Sequence, residues 1–155
     1  MDVRVTASGS GRRMRTVSGK VLFLDFDGVL HPTLSQGRDL FSRADALAVV
    51  VGHWKPAVVI SSSWRFHDRF EDVVGRLPQA IAAQVVGATG PAMMGRHARW
   101  NEIRACCARN GYRDWRALDD SAFEFPTPCA ELIRCDGAIG LTQRELDALV
   151  GWLGA

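Results

Sequence analysis

Residues 20–32 read KVLFLDFDGVLHP. Four apolar residues, Val21 to Leu24, run into Asp25, Phe26, Asp27 and Gly28. So short an apolar run, bounded by a turn signal, reads as a strand buried on both faces, the kind found at the centre of a parallel sheet. In a strand, residues i and i+2 share a face, so the run ends in two carboxylates on one side. Like charges beside a low-dielectric interior repel strongly unless something compensates. The rest of the chain is constrained by that requirement.

From Lys20 onward, strand and helix patterns alternate. Strands are expected at 21–26, 57–61 (AVVIS), 84–87 (QVVG), 115–119 (WRALD) and 131–135 (ELIRC). Helices are expected over 39–53 with Asp39 as cap, over 64–77, over 97–109 and over 142–153. In the second of these, Phe66, Phe70, Val73, Val74 and Leu77 form one face. The third stops at Asn110-Gly111. The fourth opens on a Thr142/Glu145 capping box and carries Leu146, Leu149, Val150 and Leu153 as its apolar stripe. Short strands separated by helices predict an α/β fold, a three-layer Rossmann-like parallel sheet of about five strands. At 155 residues the chain reads as one such domain over 20–155, preceded by a polar, Arg-containing extension over 1–19 that is expected to be disordered. Met14 is a candidate start.

Net charge is +2, which gives no global pull toward nucleic acid or membranes. No apolar run reaches the ~20 residues of a membrane-spanning helix, and the N-terminus has no signal-peptide core. The four cysteines form no CxxC pair, so reduced thiols in a cytoplasmic protein are expected.

In open parallel sheets, ligands bind at the carboxyl ends of the strands. Polar residues accumulate there three times: Asp25 and Asp27 after the first strand, Ser61-Ser62-Ser63 after the second, and Asp119-Asp120 at the end of the fourth. Four carboxylates converging on one edge cannot all stay ionised without a cation, and hard oxygen donors favour Mg²⁺. Asp25 with Asp119 or Asp120 would hold it. The serine turn offers hydroxyls and N–H groups to an anion at a helix start. A phosphoryl group held between them needs a further cation, for which Arg96 and Arg99 are the candidates.

DFDGVLHP resembles the first motif of the haloacid dehalogenase (HAD) superfamily of phosphotransferases. VVISSSWR, a basic residue on a later helix, and ALDD follow in that superfamily's order. SSSWR, RWNEI, LDD and the GLT before the last helix together resemble a small subgroup associated with RNA-repair proteins. The resemblance spans about Lys20 to Leu153. It implies strand order 5-4-1-2-3 and a set of roles. Asp25 would be the nucleophile that becomes an aspartyl-phosphate, and Asp27 the general acid and then base. The Asp27 carbonyl, Asp25, Asp119 and Asp120 would form the metal site, with Asp120 the closer of the last two. Ser61, Ser62 and Gly28 would bind phosphate, with Arg99 ahead of Arg96 as the third-motif cation. Asp27 argues against dehalogenation, because a halide leaves without a proton while an alkoxide needs one.

Only 33 residues separate Asp27 from Ser61, and 37 separate Ser61 from Arg99. Neither interval holds a large cap domain, so an open site is expected, with residues 28–37 as a flap. An open site suits large phosphorylated substrates such as nucleotide or polynucleotide ends, in a monomer or a small homo-oligomer that supplies a lid. A small-metabolite phosphatase and a non-catalytic phosphate-binding module are the alternatives. A receiver domain fits poorly, since its phospho-acceptor ends a later strand than its acidic pair. His31 is a candidate substrate contact or flap anchor. Trp64 and Trp100 are candidates for base stacking or for packing on the sheet, and Phe123 to Pro126 could line the mouth.

Overall fold

The computed structural model describes residues 19–155. The extension expected over 1–19 lies, apart from Gly19, outside the described residues. Five strands form one sheet: β1 (Lys20–Leu24), β2 (Ala57–Ile60), β3 (Val85–Ala88), β4 (Asp114–Asp119) and β5 (Leu132–Arg134). Their spatial order is β3-β2-β1-β4-β5, which is the expected 5-4-1-2-3 counted from the other edge. Every pairing is parallel. The order reverses beside β1, which pairs with β2 on one side and β4 on the other.

The apolar run of β1 explains its central place. Leu22 and Leu24 enter one core with Leu47, Val51, Val58, Ile60 and Leu149. Val21 and Phe23 enter a second core with Val59, Ile103, Trp115 and Ala117. Each leucine, valine, isoleucine or phenylalanine among them contributes roughly 1.5–3 kcal/mol on full burial. The first core is roofed by α1 (Ala44–Trp54), α2 (Phe70–Gly75), α3 (Gln79–Ala82) and α5 (Gln143–Leu153). The second is roofed by α4 (Ala98–Asn110), whose inner face carries Ile103, Cys106 and Cys107. Three layers result. The connections contain no large cap domain.

Two helices depart from expectation. The helix expected from Asp39 begins at Ala44, because Gly37–Asp39 is a 3₁₀ turn and Phe41 takes φ 61°. Asp39 therefore ends a turn and caps nothing. The helix expected over 64–77 is broken into a 3₁₀ turn, Ser63–Phe66, and the short α2. Ser62 caps the turn by accepting the Trp64 N–H, and Arg65 is drawn inward by hydrogen bonds to the carbonyls of Ser61, Ser62 and Gly90. Val73 and Leu77 remain in the core, while Phe66 and Phe70 are left partly exposed. α5 is held as its sequence predicts: Glu145 folds back to accept the Thr142 N–H at 2.9 Å. Its buried stripe uses Trp152 where Val150 was expected, since Val150 faces solvent. α4 ends at Gly111 with φ 70°, a left-handed C-terminal stop that glycine adopts without strain.

Candidate active site

The sheet delivers its polar residues to one edge through register. Leu24 pairs with Ile60 on β2 and with Leu118 on β4. The next residue of each strand, Asp25, Ser61 and Asp119, therefore stands side by side. The ladder continues into them: Asp25 N–H donates to the Leu118 carbonyl (3.1 Å), and Ser61 N–H donates to the Leu24 carbonyl (3.0 Å).

Asp25, Asp119 and Asp120 each place a carboxylate oxygen within 4.8 Å of the others. Asp25 and Asp119 are buried. Burial, and then the neighbouring Asp119, push Asp25 well above the ordinary carboxylate range, with Arg99 pulling the other way. Burial likewise raises Asp119 to about 6 against the pull of Arg99. Three acids crowded this way form a hard-oxygen donor set of the kind a divalent cation takes. Asp119 is largely engaged already. Its Oδ2 accepts from Arg99 at 2.8 Å and its Oδ1 from the Ser121 N–H at 2.9 Å. Asp120 has only a long contact, 3.5 Å, with the Thr33 hydroxyl, so its carboxylate is the more available of the two.

Space for Asp120 is made by glycines. A Cβ at Gly28 would lie 2.3 Å from Asp120 Oδ2, and one at Gly137 would lie 2.5 Å from it. Gly28 also sits at φ 77° and spends its N–H on the His31 carbonyl. It makes room for the Asp120 carboxylate, and its own N–H is taken up by the flap. Nothing in the sequence linked Gly137 to Asp120.

Arg99 reaches the cluster and Arg96 does not. The Arg99 guanidinium lies 2.8 Å from Asp119 and 3.5 Å from Asp25, with Glu124 at 3.8 Å. Burial disfavours its charge, but Asp119 and Asp25 outweigh that and raise its pKa. Arg96 is exposed, and its carbonyl accepts from Asn101. α4 is pinned for this purpose by the Trp100 N–H, which donates to the Glu124 carbonyl (3.1 Å).

Ser61 is fully buried, and its hydroxyl has no hydrogen-bond partner; Thr89 Oγ1, at the end of β3, is in the same condition. A buried hydroxyl without a partner costs free energy, about 1–3 kcal/mol. Ser61 stands on the strand next to that of Asp25, so a polar group arriving at this edge would supply the missing partner. Ser62 Oγ, by contrast, is occupied with the Trp64 N–H (3.2 Å).

Asp27 is the exposed member of the acidic set, its side chain 42% accessible. His31 Nε2 lies 2.7 Å from its Oδ1, and the Trp64 indole N–H donates to its Oδ2 at 3.0 Å. His31 is buried, so it anchors the flap and does not stand in the mouth. Trp64 packs edge-on to Phe26 and Phe41.

One constellation escaped the sequence reading. Arg65 and Glu102 form a buried pair at 2.7 Å that ties the serine turn to α4. Glu102 also accepts the Met93 N–H (3.1 Å), closing the loop before α4. The signal was present in SSSWR and RWNEI, but pairing two residues 37 apart needs the fold.

The mouth is open. A cleft of about 980 Å³ runs along the flap between Pro32, Leu34, Arg43 and Gly137. Leu34, Met94 and Phe123 stand exposed on three loops at this edge of the sheet. No described helix is long and apolar enough to cross a membrane.

Residues 21–146 match the model of the family described as the HAD domain in Swiss Army Knife RNA repair proteins. No curated protein and no solved structure matched the chain. The match covers most of the chain and takes in every site residue described above, so this chain belongs to the HAD domain family of Swiss Army Knife RNA repair proteins.

Proposed function

We propose that this domain is a Mg²⁺-dependent phosphohydrolase that works through an aspartyl-phosphate on Asp25 and acts on nucleotide or polynucleotide terminal phosphates. Family membership supports phosphohydrolase chemistry in general. The observation that carries the finer reading is the unpartnered, buried Ser61 hydroxyl beside the Asp25 carboxylate, on adjacent parallel strands. A phosphoryl oxygen arriving there gives Ser61 its missing partner and brings phosphorus to Asp25.

Asp25, Asp119 and Asp120, with the Asp27 carbonyl, would hold Mg²⁺. Bound there, the cation offsets charge on the phosphoryl oxygens and relieves the crowding of the acids. Arg99 supplies a second positive charge from the α4 side. The Asp25 oxygen attacks phosphorus while Asp27 gives a proton to the departing oxygen. Asp27, now a carboxylate, takes a proton from the water that attacks phosphorus and frees Asp25.

The substrate class is supported by the family description and by connections that hold no cap domain over the acidic edge. Exposed Leu34, Met94 and Phe123 are placed to contact something larger than the phosphate, and Phe123 offers a face on which a base could stack.

The test is release of p-nitrophenol from p-nitrophenyl phosphate, with Mg²⁺ and with EDTA, for wild type and Asp25→Asn. Turnover that needs both Mg²⁺ and Asp25 is expected. A panel of 3′- and 5′-phosphorylated oligonucleotides against sugar phosphates follows, with the higher kcat/KM expected on the oligonucleotides. A preference for sugar phosphates would favour a metabolite phosphatase.

A further inference from the structure

We propose that His31 and Trp64 are positioning residues that hold Asp27 in the one orientation from which it can protonate the leaving group. This rests on the role given to Asp27 above. Asp27 lies beyond the end of β1 on an open edge, where a short acidic side chain has several rotamers to choose from. Both of its oxygens are instead claimed by N–H groups from different segments. His31 comes from the flap, four residues on, and Trp64 from the turn after β2.

The His31 contact is itself prepared. Its Nδ1 accepts the Phe41 backbone N–H at 3.1 Å, which leaves Nε2 as the nitrogen that carries hydrogen toward Asp27. Phe41 delivers that N–H from φ 61°, a left-handed conformation costly for a bulky residue. The ring contacts of Phe41 with Phe26, His31 and Trp64, at 5.3–5.6 Å, hold it there. A strained residue, a fixed tautomer and an indole thus serve one carboxyl group.

The arrangement has a chemical consequence. An indole N–H and a histidine N–H can only donate. When Asp27 is protonated, neither can take its hydrogen, so the O–H must point away from both. As the P–O bond breaks, that proton passes to the departing oxygen. The two N–H groups then satisfy the carboxylate that remains, ready to take a proton from water.

Trp64→Phe keeps an aromatic ring and removes only the donor. His31→Leu removes the other donor, while His31→Gln retains an N–H near the position of Nε2. The measurement is kcat and KM on p-nitrophenyl phosphate, whose leaving group departs readily as an anion, and on an alkyl phosphate such as glycerol phosphate, whose leaving group needs the proton. For Trp64→Phe and His31→Leu, kcat should fall about tenfold or more on the alkyl ester and less than about threefold on the aryl ester, with KM unchanged. His31→Gln should recover most of the loss. Equal losses on both esters, or a rise in KM alone, would overturn the proposal and leave these residues as packing. Asp27→Asn separates the two levels. If it shows the leaving-group dependence and the Trp64 and His31 variants do not, the positioning role fails and the role of Asp27 stands. If it shows none while Asp25→Asn abolishes turnover, the role of Asp27 fails and this inference with it.

Discussion

Two largely buried arginines meet α4 within one helical turn of each other, and they are balanced differently. Arg65 is closed. Its donors go to Glu102, to the carbonyls of Ser61 and Ser62, and to Gly90, and Glu102 spends its other oxygen on the Met93 N–H. Arg99 is open. One guanidinium faces Asp25, Asp119 and Glu124 and shares the Glu102 carboxylate with Arg65 only at the longer distance of 3.9 Å, while Asp120 crowds the same cluster without a close partner. A balanced pair fixes two loops. An unbalanced cluster stores unfavourable charge that a bound cation or phosphoryl group can relieve, and that is where chemistry is expected.

The largest effect that would sharpen this contrast is at Asp25. Asp25→Asn should lower turnover about 10⁴-fold or more. Its melting temperature should hold or rise, because one crowded charge has gone. A protein that loses both activity and stability would mean that Asp25 belongs with the structural pair.

Arg99→Ala should cost about 100-fold in kcat, on the scale of a lost charge-stabilising group. It should also enlarge the rise in melting temperature that Mg²⁺ produces, because the acids lose their resident counter-charge. An unchanged Mg²⁺ response would place Arg99 outside the cluster's electrostatics.

Glu102→Ala should do the reverse. It leaves Arg65 with carbonyl partners but no carboxylate, and removes the most distant of Arg99's acids, at a cost of about 3–5 kcal/mol in urea denaturation. Added Mg²⁺ should not restore that loss. Rescue by Mg²⁺ would dissolve the distinction between the two sites.

The smallest effect is at Asp114, an exposed pair at the opposite end of the sheet. Hydrogen bonds from Lys20 and then from the Trp152 indole hold Asp114 below its ordinary value of 3.8. A depressed carboxylate stabilises the fold above its unfolded pKa and loses that contribution as pH falls through its folded value. The melting-temperature gap between wild type and Asp114→Asn should therefore be small near neutral pH and shrink below about pH 4. A gap that widens on acidification would reverse the sign.

The same contrast shows what the sequence made legible. The edge bearing Asp25, Ser61 and Asp119 follows from short apolar runs that each end in polar residues, a local pattern, whereas the strand order follows only from the family resemblance. The sequence favours Asp120 as the closer metal ligand and Arg99 ahead of Arg96; in the fold Asp120 carries the less engaged carboxylate, and Arg99 is the one of the two arginines that lies beside Asp25 and Asp119. The broken helix after Ser62 did not read, since Phe66, Phe70 and Val73 keep a helical period while Ser62 and an inward Arg65 override it. Contacts between loops were out of reach in the same way. Nothing periodic links Asp27 to Trp64, Arg65 to Glu102, or Gly137 to Asp120; each exists only once parallel strands bring separate loops to one edge.

The central claim is that the open cluster exists so that Asp25 can carry a phosphoryl group. The direct measurement is borohydride trapping during turnover of p-nitrophenyl phosphate with Mg²⁺, followed by mass analysis of the peptide containing Asp25. An acyl phosphate is reduced to the alcohol, so Asp25 should be recovered in part as homoserine, and not when EDTA replaces Mg²⁺. Turnover with Asp25 unmodified under trapping that captures a known acyl phosphate would contradict the account, and would assign the attack on phosphorus to water.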